Sequence, residues 1–377
     1  MLPSLFSCAT LLLALAVLPQ QGAPPAAAPV VPQLDVRLEL LGIAYRLATN
    51  TFPAESLPAT YRDAVQRHFG RVRSHPFLQR LRQLADSTAQ AGGDLGAWEI
   101  PSLAVHLGPP PAFAPLVSRA PADTSDGWDD RALLDPGFLS LLRAFYREAR
   151  AEDFFRRQRG YFDAVNEAFR QRFTPVDPAW FREFTGLEPT ERYTPIAGLM
   201  ALGAGDYLRV NFGAGRRNTH TIVVAGAYDS AGLPGAQWKE WVTRSSVHEL
   251  VHAYTNQVID RYADALRPAA ESLLALPEVH ARVKDTFYGN WQYLLYESLV
   301  RAVAIRYQAR DAATEARDIS AQEQAGFLWI RGLLGVLDRY AGDRGRYPTL
   351  IELGPELVRY FQGTTAALRA GASPSRG

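Results

Sequence analysis

The stretch Ser245-Ser246-Val247-His248-Glu249-Leu250-Val251-His252-Ala253-Tyr254 contains the pattern HExxH between flanks that carry no charge and no proline. Residues four apart lie on the same face of a helix, one turn from each other, so the imidazoles of His248 and His252 can reach one metal ion. Glu249 lies between them, where its carboxylate can contact a metal-bound water. The stretch therefore predicts a helix that carries two metal ligands and a general base.

A zinc ion in a hydrolase takes three protein ligands and keeps a fourth position for water. A third ligand shortly after the motif is excluded, because Thr255 and Val258 stand where such a pattern needs Gly and His. Glu297 is the strongest candidate, because the only other charge in the segment 291–305 is Arg301 and an unpaired carboxylate in apolar surroundings is costly. The other acidic candidates lie beside prolines or among charges, which suits a solvated surface: Asp260, Asp264, Glu271, Glu278 and Asp285.

A second interpretation of Glu297 needs no metal. Arg301 follows it by four residues, and an ion pair at this spacing is an ordinary feature of helices. In that case the segment belongs to a metal-free helical scaffold. The two interpretations are compatible. Whether Glu297 can also be a metal ligand depends on whether its face of the helix meets the histidines.

With these residues the sequence resembles the gluzincins, the thermolysin-like clan of zinc metallopeptidases that combine HExxH with a glutamate on a later helix. The resemblance covers roughly residues 190 to 310. Thermolysin has an aspartate four residues after its ligand glutamate, whereas this chain has Arg301. The stretch Tyr-Glu-Ser-Leu-Val-Arg-Ala (296–302) and an aromatic-rich helical half before the motif look more like an uncharacterised bacterial family of predicted gluzincins.

This resemblance implies a zincin-like catalytic core with one Zn²⁺ per chain. It implies that His248, His252 and Glu297 are the ligands, that Glu249 is the general base, and that the substrate is a peptide or protein. An exopeptidase motif of the Gly-Ala-Met-Glu-Asn type is not visible, which favours an endopeptidase. The alternative is a noncatalytic cell-envelope or binding protein that keeps the scaffold with a structural or vestigial metal.

Several further residues are candidates for supporting roles. Because Arg301 replaces the aspartate, a zinc histidine is expected to donate its second N–H to Asn256 or to a backbone carbonyl. A tyrosine O–H could stabilise the tetrahedral intermediate, with aromatic core packing as the default alternative. The tyrosines close to the motifs are Tyr254, Tyr288, Tyr293 and Tyr296. His220 could donate to the same oxyanion, although a surface strand position explains it equally simply.

The N-terminus predicts export. Residues 5–18 form an apolar run too short to span a bilayer, followed by a small-residue stretch typical of a signal-peptide cleavage zone. Cys8 follows Leu5-Phe6-Ser7 as in a lipobox, but most of the apolar run comes after this cysteine rather than before it, so a lipoprotein is not expected. The protein is then secreted or periplasmic, has no membrane span after processing, and has no cysteine for disulfides or thiolate ligands, since Cys8 is the only one.

Composition excludes some classes of protein. A hydrophobic fraction of 47% is ample for a globular core, and a net charge of +1 argues against a nucleic-acid binder that depends on electrostatics. About 350 residues after processing exceed what one compact core usually holds. The expected organisation is a signal and processing region (1–28), a mainly helical region (29–190), a gluzincin-like catalytic region (191–370) and a disordered tail (371–377). The oligomeric state is open.

Hydrophobic spacing predicts an α+β, predominantly helical fold with a small antiparallel sheet before the HExxH helix. The strands are expected at 196–202, 207–212 and 219–228, where short β-rich runs alternate with glycines. By analogy with the gluzincins, the last strand, 219–228, is expected to be the edge that binds an extended peptide. A further short strand is expected at 98–106.

Overall fold

The computed structural model describes residues 31–52, 58–117, 131–173, 175–200, 207–212, 217–223, 239–283 and 289–370, together with residues 229, 232, 233 and 235. Within these ranges the chain is mostly helical and contains one small sheet. The predicted α+β, predominantly helical class is therefore confirmed. The signal region, Cys8 and the C-terminal tail lie outside the described residues. No helix in the described ranges is long and apolar enough to cross a membrane.

The first half of the chain begins with a short strand and continues as helices. The elements are β1 (Gln33–Leu34), α1 (Val36–Thr49), α2 (Ala59–Phe69), α3 (Pro76–Gln90), α4 (Ile100–His106), α5 (Pro136–Glu148) and α6 (Ala151–Arg172). Local chemistry sets several of the helix starts. The side chains of Asp35, His75 and Asp135 each accept a hydrogen bond from a backbone amide of the first turn. Proline at the first helical position of α3 and α5 adds a backbone angle that already suits a helix.

The prediction of a strand at 98–106 is wrong, because these residues are helical. Residues Leu95–Glu99 form a π-helical turn that leads directly into α4, and every residue of α4 is buried. A fully buried segment shows no alternation of polar and apolar residues, so its spacing cannot distinguish a strand from a helix. Pro101, near the start of α4, was the available signal for a helix.

The sheet is mixed rather than antiparallel. Its other strands are β2 (Arg192–Ala197), β3 (Tyr207–Asn211) and β4 (Arg217–Val223), and the strand order is β1-β2-β4-β3. Only β3 and β4 pair antiparallel, while β2 is parallel to both β1 and β4. A strand from the start of the chain therefore closes one side of the sheet, a pairing at long range that no local pattern records.

The prediction that the last strand is the exposed edge is also wrong. β4 lies between β2 and β3, with Thr221 opposite both Pro195 and Tyr207, so both of its edges are already hydrogen-bonded. Within the described residues, β3 is the edge strand on this side of the sheet. Chain order predicted the wrong strand because the chain crosses from β2 to β3 before it returns to the middle.

A buried carboxylate fastens α1 to the end of β2. Glu39 is 0% exposed, accepts a hydrogen bond from Tyr61 Oη at 2.5 Å, and accepts the backbone N–H groups of Leu199 and Met200 at 2.7 and 3.1 Å. Gly42 lies one turn later, where a Cβ atom would be 2.6 Å from the carbonyl oxygen of Met200. Glycine is needed here because helix and backbone approach too closely for any side chain.

The second half of the chain is a helical layer that follows the sheet. Its elements are α7 (Pro178–Thr185), which precedes β2, and then α8 (Lys239–Arg261), α9 (Ala263–Leu274), α10 (Pro277–Val283), α11 (Trp291–Gln308), α12 (Ala312–Gln324), α13 (Ile330–Gly342) and α14 (Gly354–Arg369). The HExxH motif lies on α8, and Glu297 lies on α11. Both helices fall where the sequence predicts them.

Two hydrophobic cores meet at the sheet and at α8. The first is built mainly from α1 to α6 and includes Ile196 of β2 and Val242 at the start of α8. The second is built mainly from α7 to α14 and includes Tyr193 of β2 and Val247 of α8. Since α8 begins in one core and ends in the other, the HExxH motif is held by packing along most of its helix.

Candidate metal centre

The two histidines of the motif lie on one face of α8, as their spacing requires. His252 is buried and His248 is partly exposed, with 22% of its side chain accessible. Their rings meet edge to face with centroids 5.1 Å apart. The opposite side of the helix packs into the second core through Val247, Val251 and Tyr254. Packing therefore fixes the rotation of α8 and points both imidazoles the same way.

Glu297 is positioned by the start and by the packing of α11. Asn290 caps this helix by accepting the backbone N–H of Gln292 at 2.8 Å. Ser298, the residue after Glu297, accepts a hydrogen bond from Trp329 Nε1 at 2.9 Å, which ties the helix to the second core. Glu297 itself is 7% exposed. The face of α11 that carries this carboxylate is thus turned inward, towards α8.

The carboxylate of Glu297 contacts both histidines. His248 Nε2 lies 3.3 Å from Oε2 and His252 Nε2 lies 3.3 Å from Oε1. One ligand atom from each residue can be chosen so that all lie within 4.8 Å of one another. Two ligands of a tetrahedral zinc ion, each about 2.0 Å from the metal, are about 3.3 Å apart. The two spacings between histidine and carboxylate match such a site, so the group could hold a metal ion.

The charges of the cluster favour an ionised carboxylate. Burial alone would raise the pKa of Glu297, but the imidazoles of His248 and His252 outweigh this effect and hold the pKa well below its usual range. For His252, burial would lower the pKa, yet its hydrogen bond to Glu297 and the charge of that carboxylate raise it. Without a metal the carboxylate of Glu297 therefore stays ionised, and His252 holds its proton more tightly than a free imidazole.

Asn256 orients His252 from the other side. Its side-chain oxygen lies 3.0 Å from Nδ1 of His252, one helical turn away. An oxygen acceptor at Nδ1 selects the ring form that carries a proton there. The Nε2 atom is then directed at Glu297, where it could bind a metal ion held by the same carboxylate.

Arg301 contacts the same carboxylate. Its Nη2 atom donates to Glu297 Oε2 at 2.9 Å, and its Nη1 atom donates to Gln322 Oε1 at 2.6 Å. The guanidinium also lies over the ring of Phe327, 4.5 Å from its centroid. The ion pair with Arg301 and the contact with the histidines are therefore both present, so the ion pair does not turn Glu297 away from the histidines.

Glu249 lies on α8 beside the ligands. It is 7% exposed, and its charge contributes to the raised pKa of His252. A buried carboxylate within electrostatic reach of a ligand suits a group that accepts a proton near the metal.

The tyrosine candidates lie in different environments. Tyr254 is 1% exposed and its ring stacks on Phe181 in the second core, so it lies away from the ligand face of α8. Tyr296 donates to Asp260 and accepts from Gln292 Nε2 at 2.6 Å. Tyr293 is 51% exposed and lies one turn before Glu297 on α11. Of the three, Tyr293 alone combines the ligand face of α11 with access to solvent.

Two candidates fall outside what the structure describes. Tyr288 lies outside the described residues. For His220 only the backbone of β4 is described, and it places the residue opposite Thr194 of β2 and Leu208 of β3. His220 is thus on an internal strand, and its side chain lies outside the description.

The other acidic residues do not join the cluster. Within the described ranges, the one group of His, Cys, Asp and Glu with metal-ligand spacing is His248, His252 and Glu297. Asp260 is engaged by Tyr296 and Gln292, while Asp264, Glu271 and Glu278 lie on α9 and α10. Asp285 lies outside the described residues.

Sequence reasoning missed the residues that frame the cluster. Arg244 of α8 donates to the buried Asp318 of α12 at 2.9 Å, and Asp260 binds Tyr296 and Gln292 at the other end of the α8–α11 contact. A signal was present in the spacing. Polar residues recur at every fourth position of α8, which marks one continuous polar face: Arg244, His248, His252, Asn256 and Asp260. Gln322 and Phe327, in contrast, carry no local signal.

Comparison with known proteins gives one match. A family model described as "Domain of unknown function (DUF4932)" matches residues 55–360, a span that includes helices α2 to α13 and every residue of the cluster. No curated protein and no solved structure matches the chain significantly.

Proposed function

Since the chain belongs to the DUF4932 family, whose description states no activity, we propose from its own residues that it is an exported zinc-dependent metallopeptidase. The observation that carries this proposal is the contact of Glu297 with both histidines of an HExxH helix, at 3.3 Å each. A carboxylate on a later helix that meets both histidines is what the resemblance to the gluzincins predicts for the third ligand, and this supports the proposal of a zincin-like core. Peptide-bond hydrolysis is the reaction that such a site is known to support.

The donor set favours zinc. Two imidazole nitrogens and one carboxylate oxygen form a three-ligand catalytic site, and Zn²⁺ bound there would supply a polarising charge and a bound water of lowered pKa. Two histidines and one carboxylate can also hold Fe²⁺. Glu249 favours zinc, because a general base beside the ligands serves hydrolysis.

Each residue then has a separate task. His248, His252 and Glu297 hold the metal, and Asn256 fixes the ring of His252. Glu249 accepts a proton from the attacking water and passes it to the leaving amine. Tyr293 is the tyrosine best placed to donate to the developing oxyanion, because it is accessible on the ligand face of α11.

The edge of β3 suits an extended peptide. In the described part of the sheet β3 pairs with β4 alone, so its outer edge can add a further strand through backbone hydrogen bonds. Arg209 of β3 acts electrostatically on Tyr296, the neighbour of Glu297, which supports a position of this strand on the same side of the molecule as the cluster. We therefore propose β3, instead of β4, as the strand that receives the substrate backbone.

The alternative is a noncatalytic cell-envelope or binding protein that holds a structural or vestigial metal. Glu249 discriminates between the two. A purely structural site has no use for a base beside an open coordination position. In a noncatalytic protein, replacing Glu249 would abolish no activity.

Metal analysis and a cleavage assay test the proposal. The purified protein and its Glu249→Gln, His248→Ala and Glu297→Ala variants are analysed for metal and tested on a library of quenched fluorescent peptides. We expect one zinc per chain in the wild type and in Glu249→Gln, with cleavage only in the wild type. His248→Ala and Glu297→Ala should lose the metal. Glu271→Gln, an exposed glutamate on α9, is the control and should behave as wild type.

Each contrary outcome contradicts a different part of the proposal. A wild type that binds no metal, or binds iron in preference to zinc, would show that the metal assignment is wrong. Unchanged cleavage by Glu249→Gln would show that Glu249 is not the general base. Zinc without cleavage of any peptide would support the noncatalytic alternative.

A further inference from the structure

Arg301 is held from three directions beside the metal ligands. Glu297 lies on its own helix, one turn before it, and accepts its Nη2 donor at 2.9 Å. Gln322 lies on α12 and accepts its Nη1 donor at 2.6 Å. The ring of Phe327, in the connection between α12 and α13, covers one face of the guanidinium. With 17% of its side chain exposed, this cation cannot simply turn away into solvent.

Arg301 and a metal ion would use the same carboxylate. Oε2 of Glu297 accepts the hydrogen bond from Arg301 and also lies 3.3 Å from His248 Nε2. The other oxygen, Oε1, lies 3.3 Å from His252 Nε2. A carboxylate oxygen that already accepts a charge-assisted hydrogen bond gives less electron density to a second cation. The guanidinium also repels a divalent ion a few ångströms away, and this repulsion is screened little in a buried site.

From this shared carboxylate we propose that Arg301 weakens the binding of the metal and lets it keep more of its positive charge. The inference rests on the proposed function and adds a tuning residue to it. Arg301 would hold Oε2, leave Oε1 to the metal, and so make Glu297 a weaker ligand. The benefit is a more polarising centre, obtained at the cost of metal affinity.

A purely structural role for Arg301 predicts the opposite sign. If Arg301 served only to position Glu297, its removal would disorder a ligand, and removal of such a supporting residue weakens metal binding about 10- to 100-fold. If Arg301 competes with the metal, its removal strengthens binding. The direction of the change therefore separates the two roles.

Arg306 supplies a matched control on the same helix. Its side chain is also 17% exposed, and it pairs with Glu315 and Asp338 at 2.7 Å each. Neither of these carboxylates belongs to the metal-ligand group. Arg306→Met thus removes a partly buried, ion-paired arginine from α11 and leaves Glu297 with its partners.

The test measures zinc affinity by competition with a chromogenic chelator. We expect Arg301→Met to bind zinc about tenfold more tightly than wild type, Arg301→Lys to stay within about threefold because it keeps the charge, and Arg306→Met to be unchanged. The absorption bands of the Co²⁺-substituted protein should shift in Arg301→Met and not in Arg306→Met. In the peptide assay kcat should fall in Arg301→Met while KM changes little.

The outcomes for this inference and for the proposed function are distinguishable. Equal or weaker zinc binding by Arg301→Met, or tenfold tighter binding by Arg301→Lys, would overturn the role of Arg301 and leave the metallopeptidase proposal intact. A wild type without zinc would overturn both. If Arg301→Met is unfolded without metal, folding upon addition of zinc supports the inference, and failure to fold at saturating zinc contradicts it.

Discussion

Asn256 lies one helical turn after His252, and its side-chain oxygen is 3.0 Å from Nδ1 of that ring. This contact comes from the same helix, so it is present before any metal binds. It leaves Nε2 of His252 facing Glu297. The orientation of the His252 ring, a proposed metal ligand, is therefore fixed by a residue of its own helix.

Removal of this contact should weaken metal binding. We expect Asn256→Leu to lower zinc affinity roughly 10-fold, because the ring loses the acceptor that fixes its orientation. Asn256→Asp should keep the affinity, since a carboxylate accepts the same proton. The control is Gln257→Leu, because Gln257 donates to the carbonyl oxygens of Glu188 and Tyr254 and not to a ligand. Equal affinities for Asn256→Leu and wild type would contradict this role.

Zinc affinity should depend on pH through His252. The pKa of this residue is raised by Glu297 above its ordinary value of 6.5, so in the metal-free protein zinc has to displace its proton. Glu297, whose pKa is lowered, is already ionised. We expect the apparent affinity to rise about tenfold per pH unit below the pKa of His252 and to level off above it. Calorimetry in two buffers of different ionisation enthalpy should detect the released proton, and an affinity constant between pH 6 and 7 would argue against it.

The metal-free fold should gain stability from the same pair in a defined pH range. The lowered pKa of Glu297 gives stability that is present above pH 4.5 and lost as the pH falls through the lowered value. The raised pKa of His252 gives stability that is present below pH 6.5 and lost as the pH rises through the raised value. Glu297→Gln should therefore lower the free energy of unfolding most between pH 4.5 and pH 6.5, by roughly 3 kcal/mol.

Chemical denaturation of the metal-free protein at pH 5.5 and pH 8 measures this difference. The matched control is Glu315→Gln, which removes a more exposed partner of Arg306 and should cost about 1 kcal/mol or less. A cost of Glu297→Gln that grows from pH 5.5 to pH 8 would contradict the assignment.

Two neighbouring tyrosines of α11 should respond differently to loss of the hydroxyl. Tyr296 donates to Asp260 and accepts from Gln292, so Tyr296→Phe should lower the free energy of unfolding by about 1 kcal/mol and change kcat little. Tyr293 is accessible, and Tyr293→Phe should lower kcat by about 100-fold at unchanged stability if it donates to the oxyanion. Steady-state kinetics and thermal unfolding of both variants check this. A large loss of kcat in Tyr296→Phe with little change in Tyr293→Phe would indicate that Tyr296, instead of Tyr293, donates to the oxyanion.

Glu39 should make stability depend on pH far from the metal centre. Burial raises its pKa above 4.5, despite its hydrogen bonds from Tyr61, Leu199 and Met200. Its contribution is therefore full below pH 4.5 and declines as the pH rises through the raised pKa. We expect Glu39→Gln to cost roughly 1–3 kcal/mol at pH 4.5 and less at pH 8. Denaturation curves at both values measure the two costs, and a cost that increases with pH would refute this account.

Local sequence patterns determined much of the candidate site. The four-residue spacing of His248 and His252 fixes their common face, and the apolar surroundings of Glu297 set it apart from the other acidic residues. Its pairing with Arg301 also follows from spacing alone. Each of these features depends on neighbours within one or two helical turns, which is the range over which a sequence pattern determines geometry.

The sheet shows where such reasoning ends. Two of its strands were expected close to their observed positions, but their order depends on a crossover and on β1, which lies more than 150 residues before β2 in the chain. Chain order therefore pointed to β4 as the edge, and the structure has β3 there. The strand at 98–106 was a helix because full burial removes the alternation that distinguishes the two.

Only the tertiary structure decided what Glu297 faces. Sequence alone established that α11 carries one carboxylate with an arginine a turn later, and either a metal or that arginine could have been its partner. The rotation of α11 against α8, set by packing in the second core, brings the carboxylate to both histidines and to Arg301 together. Gln322 and Phe327 reach Arg301 from another helix and a connection. Such contacts arise from the packing of whole helices, a property that no short stretch of sequence contains.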